Sequence, residues 1–313
     1  MAPRPAVLTL LLVLGALVAG CGSSGSTATA GDPSAAGATD TRPVIKLGTK
    51  DFTEQFVLGE LYAQALRAEG FRVVLKRNLG SSELVDRVLT SGAIDLYPEY
   101  TGVIVREIAG QEQRPVSAEE TYRRAKAFQA RRGFEVLDMS PGYDRLANAV
   151  TPGTARRNRL RTMSDLERLG RYRYGGFPEN RVRFQGARGV RRAYGADFTF
   201  VPLRADRRHA ALERGDVDVI DVGTTEAQVA DRSRYRVLAD PKGIFGYQNI
   251  VPVVSRTTLR LQKPGLARTL NAVTAKLTNA ALREMNGAVD LRGQDPAQVA
   301  KRFLRDHRLV RGS

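Results

Sequence analysis

The strongest constraint on the fold is an alternation of apolar strands and amphipathic helices that occurs twice along the chain. In the first half the predicted elements are strand 44–48, helix 56–66, strand 71–75, helix 84–91 and strand 93–97. In the second half they are strand 172–176, helix 186–194, strand 198–203, helix 207–214 and strand 217–221. Strands separated by helices are typical of open parallel α/β sheets. The repetition predicts two similar α/β lobes rather than one large sheet.

The end of the chain predicts how the lobes are joined. An apolar strand at 250–254 is followed by helical patterns at 266–277 and 296–304. These helices have no sheet of their own, so we expect them to pack on the first lobe. The chain would then cross between the lobes twice, near 148–152 and near 247–252. Two crossing strands make a hinge, and a hinge between two lobes makes a cleft.

The strand ends of both lobes should face this cleft. The predicted division is 44–149 with 251–313 for lobe 1, and 150–250 for lobe 2. Ligands of open α/β sheets bind beyond the carboxyl ends of strands. We therefore expect the loops after Leu47, Tyr97 and Asp221 to face the interlobe cleft.

The N-terminal segment predicts export and lipid attachment. Residues 8–18 form an apolar run after Arg4, too short to cross a bilayer stably, and small residues lead to Cys21. This order resembles a bacterial lipobox, in which the cysteine is acylated and the chain is cut before it. Cys21 is the only cysteine, so it has no disulfide partner within the chain. We predict a lipoprotein signal peptide at 1–20; an ordinary signal peptide with an incidental cysteine is the alternative.

A flexible tether follows the lipidation site. Residues 22–41 contain Gly, Ser, Thr, Ala, Pro and Asp and no large apolar side chain. Such a segment cannot bury enough surface to offset the entropy lost on ordering. We predict a tether over 21–43 that holds the globular part at the extracytoplasmic face of the cell membrane.

The net charge of +16 does not indicate a nucleic-acid partner. Nucleic-acid binders usually cluster basic residues on one face or interleave them with aromatic residues. Here arginine pairs are scattered over helical segments that also contain Glu and Asp. A solvated basic surface explains this pattern, and attraction to anionic lipid headgroups is the second interpretation.

Little in the sequence suggests catalysis. The two histidines, His209 and His307, lie in arginine-rich helical contexts, and we expect both at the surface. We find no metal-ligand spacing and no Gly-rich phosphate loop. Ser81 and Ser82 lack a histidine placed by any motif to activate them, and a role in helix capping suffices. We predict a protein that is not an enzyme and has no metal or cofactor.

Three segments resemble a known family. Residues 50–55, the turn at 78–82 and the stretch 95–102 resemble the substrate-binding lipoproteins of osmoprotectant ABC importers, and Tyr-Pro-Glu-Tyr-Thr-Gly at 97–102 is the most specific match. The resemblance covers nearly the whole chain after the tether. It implies a periplasmic-binding-protein-like fold of type II. It also implies a quaternary-amine ligand such as glycine betaine, choline or carnitine, and partner permease and ATPase subunits. The sequence has no signal for homo-oligomerisation, and we predict a monomer.

The resemblance and the chemistry of the ligand select candidate tyrosines. A quaternary ammonium has no N–H to donate, but electron-rich aromatic faces can hold it. Tyr97, Tyr100, Tyr143 and Tyr247 lie in the predicted cleft or hinge segments, and Tyr97 and Tyr100 are the best supported. The alternative is that these tyrosines cap the core with the hydroxyl in water.

Polar residues on the same loops could bind a carboxylate on the ligand. Lys50 and Thr101 are well placed on the first lobe, and Arg183 matches an arginine of the family in the second. Asp221 could balance a cation or order its own loop. The full predicted site consists of Lys50, Gln55, Tyr97, Tyr100, Thr101, Tyr143, Arg183, Asp221, Thr224, Tyr247 and Asn249.

One departure from the family pattern affects the expected ligand. Gly223 stands where the family often has a tyrosine, and Gln248 and Asn249 stand where paired aromatics are common. The cleft-facing side of the second lobe should therefore be more polar than is usual in the family. A receptor of the same fold for a different small polar solute is the alternative function.

Overall fold

A computed structural model gives the conformation of residues 42–262 and 264–310. The predicted signal peptide, Cys21 and the tether up to residue 41 lie outside these residues. Within the described part of the chain, no helix is both long and apolar enough to span a bilayer.

The described residues form ten strands, eleven α-helices and several shorter helical turns. The strands are β1 (Ile45–Gly48), β2 (Val73–Lys76), β3 (Leu96–Tyr100), β4 (Phe134–Val136), β5 (Leu146–Val150), β6 (Tyr172–Gly176), β7 (Phe198–Pro202), β8 (Val219–Gly223), β9 (Arg236–Leu238) and β10 (Ile250–Ser255). The α-helices are α1 (Thr53–Ala68), α2 (Ser82–Thr90), α3 (Thr101–Val103), α4 (Ala118–Arg131), α5 (Pro152–Arg157), α6 (Ala187–Tyr194), α7 (Arg208–Arg214), α8 (Arg256–Leu261), α9 (Gly265–Thr274), α10 (Asn279–Asp290) and α11 (Pro296–Asp306). A π-helical stretch covers Ile104–Ile108, and 3-10 helices cover Met163–Leu169, Pro178–Arg181, Ala205–Arg207 and Gln228–Ala230.

The strands form two sheets with the same internal arrangement. The first sheet has the order β2-β1-β3-β10-β4 and the second has the order β7-β6-β8-β5-β9. In each sheet three neighbouring strands are parallel and the fourth is antiparallel to the third. The predicted α/β fold with two lobes, of the periplasmic-binding-protein type II, is confirmed.

Helices cover both faces of each sheet. On one face of the first sheet, α1, α9, α10 and α11 enclose a core that includes Leu58, Leu61 and Leu270. On the other face, α2, the π-helical stretch and α4 pack around Tyr97 and Val253. Two further apolar clusters enclose the second sheet in the same way. Each lobe therefore has its own core, as the repeated sequence pattern requires.

The lobes are joined by residues 137–145 and 239–249, which pair with each other. Asp144 N donates to Gln248 O at 3.1 Å, and further backbone hydrogen bonds run on to β10. Because the two connections are bonded side by side, we expect them to bend together and to act as the hinge of the cleft.

The first crossing lies earlier in the chain than predicted. Strand β5 pairs with β8 and β9 in the second sheet, so the predicted boundary between 149 and 150 falls inside this strand. The crossing is made by residues 137–145, between β4 and β5.

Two strands end later than their sequence pattern indicated. The predicted strand 93–97 is β3 at Leu96–Tyr100, and the predicted strand 217–221 is β8 at Val219–Gly223. Antiparallel partners extend both: β10 pairs with all of β3, and β5 pairs with β8 as far as its last residue. Because side chains alternate along a strand, this shift decides which of them reach the cleft.

Two prolines stand opposite each other inside the first sheet. Pro98 of β3 is the register partner of Pro252 of β10. A hydrogen-bonded antiparallel pair needs an N–H from each residue, so this must be a non-hydrogen-bonded position. Neither proline therefore removes a bond from the ladder between β3 and β10, which explains how both fit in a strand interior.

The core of the first lobe predicts the effect of truncating Leu61. This residue is fully buried on α1 against the first sheet. Leu61→Ala should lower the free energy of unfolding by about 2–5 kcal/mol because it leaves a cavity. Leu291→Ala is the control, since Leu291 is 57% exposed, and it should change stability by less than about 0.5 kcal/mol. Urea denaturation measures both; equal losses would contradict the assignment of Leu61 to the core.

Candidate functional site

The cleft wall of the first lobe is built around the ammonium group of Lys50. This residue follows β1 and is only 2% exposed. Its Nζ donates to Ser82 Oγ at 3.2 Å, forms an ion pair with Glu99 and lies 4.2 Å from the ring centroid of Tyr100. Burial lowers the pKa of Lys50, and the Glu99 carboxylate opposes that shift. A buried cation thus stands beyond the carboxyl ends of the strands, where ligands of such sheets bind.

Three aromatic rings, which we call the aromatic row, stand beside this cation. Phe52 stacks on Tyr100 with a centroid separation of 6.5 Å, and it lies 6.1 Å from Phe177. Lys50 Nζ is 5.8 Å from the centroid of Phe52. Phe52 and Tyr100 belong to the first lobe, whereas Phe177 follows β6 in the second. The row is therefore complete only when the lobes are close together.

The second lobe contributes a buried arginine with two acidic partners. Arg208 is 3% exposed; Nη1 lies 3.1 Å from Asp221 Oδ1, and Nη2 lies 2.8 Å from Glu226 Oε1. Its guanidinium carbon is 4.1 Å from the centroid of Phe177. Burial raises the pKa of Asp221 against the effect of Arg208. Burial also favours neutral Glu226, but the charge of Arg208, the His209 ring and the Gly223 N–H together outweigh it and lower the pKa of Glu226 to about 2.

On one flank of the cleft, an ion pair connects the lobes directly. Arg183 Nε and Nη2 lie 2.7 and 2.6 Å from the two carboxylate oxygens of Glu83, on α2. Although burial favours the neutral acid, Arg183 lowers the pKa of Glu83 to about 2. Beside this pair, Glu107 accepts the backbone N–H groups of Phe184 and Gln185 at 3.3 and 2.9 Å. This flank is thus held by charge-assisted bonds.

A groove of about 340 Å³ runs between the lobes at the same flank. Its lining residues are Glu83, Arg106, Glu107, Gly110, Gln111, Glu112, Val182, Arg183, Phe184 and Arg188. Acids and arginines dominate this set, and none of its members belongs to the aromatic row. The groove is therefore a polar margin of the cleft.

On the other flank, Glu54 of α1 reaches the second lobe. Its Oε2 accepts from Thr225 Oγ1 at 2.6 Å and from Asn286 Nδ2 at 3.0 Å, and Tyr100 OH donates to Oε1 at 2.7 Å. Burial raises the pKa of Glu54, against the effect of these hydrogen bonds.

The structure brings several of the residues predicted from sequence to the facing walls of the cleft. Lys50 and Tyr100 are in contact, and Gln55 Nε2 donates to Tyr100 OH at 3.3 Å. Arg183 faces the first lobe through its ion pair. Asp221 accepts the backbone N–H of Phe177 at 3.1 Å, so it orders the loop after β6 rather than its own, and it balances the protein's own Arg208.

Three of the predicted cage tyrosines lie elsewhere. Tyr97 is fully buried in the core on the far face of β3, and its hydroxyl has no hydrogen-bond partner among the described residues. Tyr143 is 41% exposed on a crossing segment. Tyr247 OH donates to the backbone carbonyl of Val116 at 2.8 Å. Among residues 42–262 and 264–310, none of these three rings contacts the aromatic row.

The remaining predicted polar residues stabilise the hinge region. Thr101 Oγ1 donates to a backbone carbonyl of segment 239–249 at 3.3 Å. Thr224 Oγ1 accepts a backbone N–H of segment 137–145 at 3.0 Å, and Asn249 Nδ2 donates to a carbonyl of that segment at 2.9 Å.

Sequence reasoning missed four residues of the site. Phe52 lies inside the stretch 50–55, from which only Lys50 and Gln55 were predicted as site residues. Phe177 directly follows a predicted strand, and the strand-end rule used for the other loops would have selected it. Glu54 and Arg208 carry no such signal, because their burial depends on contacts far apart in sequence.

One prediction about the histidines is wrong. His209 is largely buried rather than at the surface: Nε2 lies 2.7 Å from Glu226 Oε2, and the ring packs edge-on against Tyr235 at 5.0 Å. It is part of the ion-pair cluster around Arg208. In the described residues no group of three or more His, Cys, Asp or Glu side chains is arranged to hold a metal ion.

Comparisons with known proteins agree with this architecture. The profile of the family described as the substrate binding domain of ABC-type glycine betaine transport system (OpuAC) matches residues 43–306. The glycine-betaine-binding protein of Pseudomonas aeruginosa is 29% identical over 281 residues, which are 85% of this chain and 88% of that protein. The glycine betaine-binding protein YehZ of Escherichia coli is 27% identical over 279 residues, 83% of this chain and 90% of that protein.

A solved structure shows the same fold. The crystal structure of a glycine betaine/carnitine/choline ABC transporter protein superposes with a TM-score of 0.67 at 25% identity. The similarity covers 85% of this chain and 99% of that one.

The ion pair on the flank predicts a pH dependence of stability. The folded-state pKa of Glu83, about 2, lies below its usual value of 4.5. The contribution of ionised Glu83 is therefore present above pH 4.5 and lost as the pH falls towards 2. Wild type should melt at a higher temperature than Glu83→Gln near neutral pH, and the difference should vanish over this acid range.

Melting curves of both proteins at stepwise pH values measure this effect. Glu284→Gln is the control, because Glu284 pairs with Arg292 on the surface and is 73% exposed. A wild-type advantage that persists undiminished at the acid end would contradict the assigned ion pair.

Proposed function

The chain belongs to the family of substrate-binding domains of ABC-type glycine betaine transport systems, and on this premise we propose that it captures a quaternary-amine osmoprotectant in its interlobe cleft. It is a substrate-binding protein of the glycine betaine/choline type of ABC transporter. The proposed ligand is of the glycine betaine, choline or carnitine class. The protein delivers it to the permease of the importer and does not transform it.

The observation that carries this proposal is an aromatic row shared between the lobes beside a buried cation. Phe52, Tyr100 and Phe177 offer ring faces to a trimethylammonium group, each contact being worth about 0.5–2 kcal/mol. Phe177 contacts Phe52 across the cleft, and this contact requires the lobes to be close together. A ligand that touches all three would favour closure, since it gains more contacts in that state.

Lys50 supports a ligand that also carries a carboxylate. Its ammonium group is buried, and it lies beside the aromatic row, 4.2 Å from the ring centroid of Tyr100. A buried cation is effective for an incoming anion because little water screens it. Glycine betaine and carnitine offer such a carboxylate, and choline does not.

We further propose that the protein acts outside the cytoplasmic membrane as a monomer held by a lipid on Cys21. The support is the lipobox-like order before Cys21, the tether-like composition after it and the absence of a second cysteine from the sequence. Its partners would be the permease and ATPase subunits of the importer. The net charge of +16 would add attraction to anionic headgroups.

Calorimetric titration tests the ligand class. The fragment 32–313, which retains all described residues, would be titrated with glycine betaine, choline, carnitine and proline betaine. Saturable binding of at least one is expected, and Phe177→Ala should weaken it about 2-fold to 30-fold through the lost ring contact. Tyr143→Ala is the matched control and should bind like wild type, because its ring lies outside the row.

The absence of binding to all four compounds would reject a quaternary-amine ligand. Gly223 and Gln248 would then favour the alternative, a receptor for another small polar solute. Chemical change of any bound compound during prolonged incubation would reject the non-catalytic role.

Lipid attachment has its own test. Cys21→Ser removes the only thiol of the chain, so no acyl chain can be attached at this position. We expect the wild-type protein expressed in its natural host to sediment with membranes and to incorporate labelled fatty acid. The variant should lose the label; a variant that keeps the label would contradict acylation at Cys21.

A further inference from the structure

Thr225 brings two carboxyl groups from different parts of the chain together. Its Oγ1 donates to Glu54 Oε2 at 2.6 Å, and its backbone N–H donates to Asp144 Oδ1 at 3.2 Å. Glu54 lies on α1 of the first lobe, Asp144 on the crossing segment 137–145, and Thr225 on the loop after β8. Closure of the cleft therefore assembles this carboxyl pair.

The carboxyl pair has no counter-ion. In the described residues neither group forms an ion pair, and the donors that reach them are the hydroxyl and amide groups of Thr225, Tyr100 and Asn286. The charge of Lys50 acts on Glu54 only as a small effect, and that of Glu226 adds repulsion at Asp144. Burial raises the pKa of both groups, and for Asp144 the charge of Glu54 adds to the shift.

Two neighbouring amide side chains also lack a partner for their oxygen atoms. Gln55 and Asn286 are almost completely buried, and their oxygens Oε1 and Oδ1 have no hydrogen-bond partner among the described residues. Each amide nitrogen is already used next to Glu54: Asn286 Nδ2 on Glu54 itself, and Gln55 Nε2 on the hydroxyl of Tyr100. The unused groups around Glu54 are thus the negative ends of dipoles, which a cation would stabilise.

Gly223 provides the space for Asp144. A Cβ atom at position 223 would lie 2.8 and 2.9 Å from the two carboxylate oxygens of Asp144. Any side chain there would push this carboxyl group away. At this position the protein therefore presents the acidic group of Asp144.

We infer that Glu54 and Asp144 are the anionic partners of the solute's cationic group, and that a permanently charged ligand displaces a proton held by one of these two buried carboxyl groups into bulk water. The inference rests on the proposed function and deepens it, because it assigns the selection of the cation to two acids in addition to the aromatic row. It predicts that the charge on the ligand's nitrogen, more than its methyl groups, determines the affinity.

The test compares two ligands of the same shape. Glycine betaine and 3,3-dimethylbutanoate differ only in that a carbon replaces the charged nitrogen. The full-length protein would be titrated calorimetrically with each, in two buffers of different ionisation enthalpy, so that the heat reveals proton release. Wild type should prefer glycine betaine and release a proton on binding it.

Neutral variants of the carboxyl pair should lose the preference for glycine betaine and the release of a proton. Asp144→Asn and Glu54→Gln should each reduce the preference for glycine betaine about tenfold or more and remove the buffer dependence. Gly223→Ala should have the same effect, because the added Cβ atom displaces the carboxyl group of Asp144 although Asp144 itself is kept. Asp144→Glu keeps the charge and should retain the preference, and Glu284→Gln serves as the surface control.

The outcomes separate this inference from the proposed function. If glycine betaine binds and folded Asp144→Asn and Glu54→Gln keep the wild-type preference and proton release, the inference is overturned while the proposed function stands. If no betaine binds, the proposed function fails, and tetramethylammonium replaces it as the probe. Binding of tetramethylammonium by wild type and not by Asp144→Asn would still support the carboxyl pair. If wild type does not bind tetramethylammonium, the inference is overturned. Should Asp144→Asn not fold, Glu54→Gln decides.

Discussion

The contacts across the cleft depend on the pairing of the two segments that connect the sheets. Segments 137–145 and 239–249 are hydrogen-bonded to each other, and the second continues into β10, which pairs with β3. This pairing sets the length of β3 and therefore places Tyr100 at the cleft. It also places Asp144 beside Gly223. The hinge thus contributes to the binding site as well as to the motion.

The walls of the cleft contain buried charges on both sides. Removing these charges from water costs free energy that the fold alone does not need to spend. Lys50 with Glu99, and Arg208 with Asp221 and Glu226, are removed from water. Well-packed apolar residues often stabilise a fold as well as buried ion pairs do. A site for a small zwitterion gains from such groups, because fixed charges in a dry cleft attract both ends of the ligand.

The second lobe replaces aromatic surface by hydrogen bonds. Gln248 donates through Nε2 to Gln185 Oε1 at 2.9 Å, and its Oε1 accepts the backbone N–H of Val103 at 3.1 Å. It therefore links the lobes instead of lining a cage. With Gly223 opening space for Asp144, the cleft offers few rings and several polar groups. The inferred carboxyl pair would add charge to the aromatic row as a source of selectivity.

The sequence by itself determined the α/β class, the two lobes and the position of Lys50 just after a strand, because strand and helix periodicity is local. It did not determine which tyrosines reach the cleft: pairing with β10 extends β3, so Tyr97 faces the core and only Tyr100 lies at the strand end. Glu54 and Arg208 became site residues only through partners far away in the chain. Burial and electrostatics depend on such long-range contacts, and only the tertiary structure decides those.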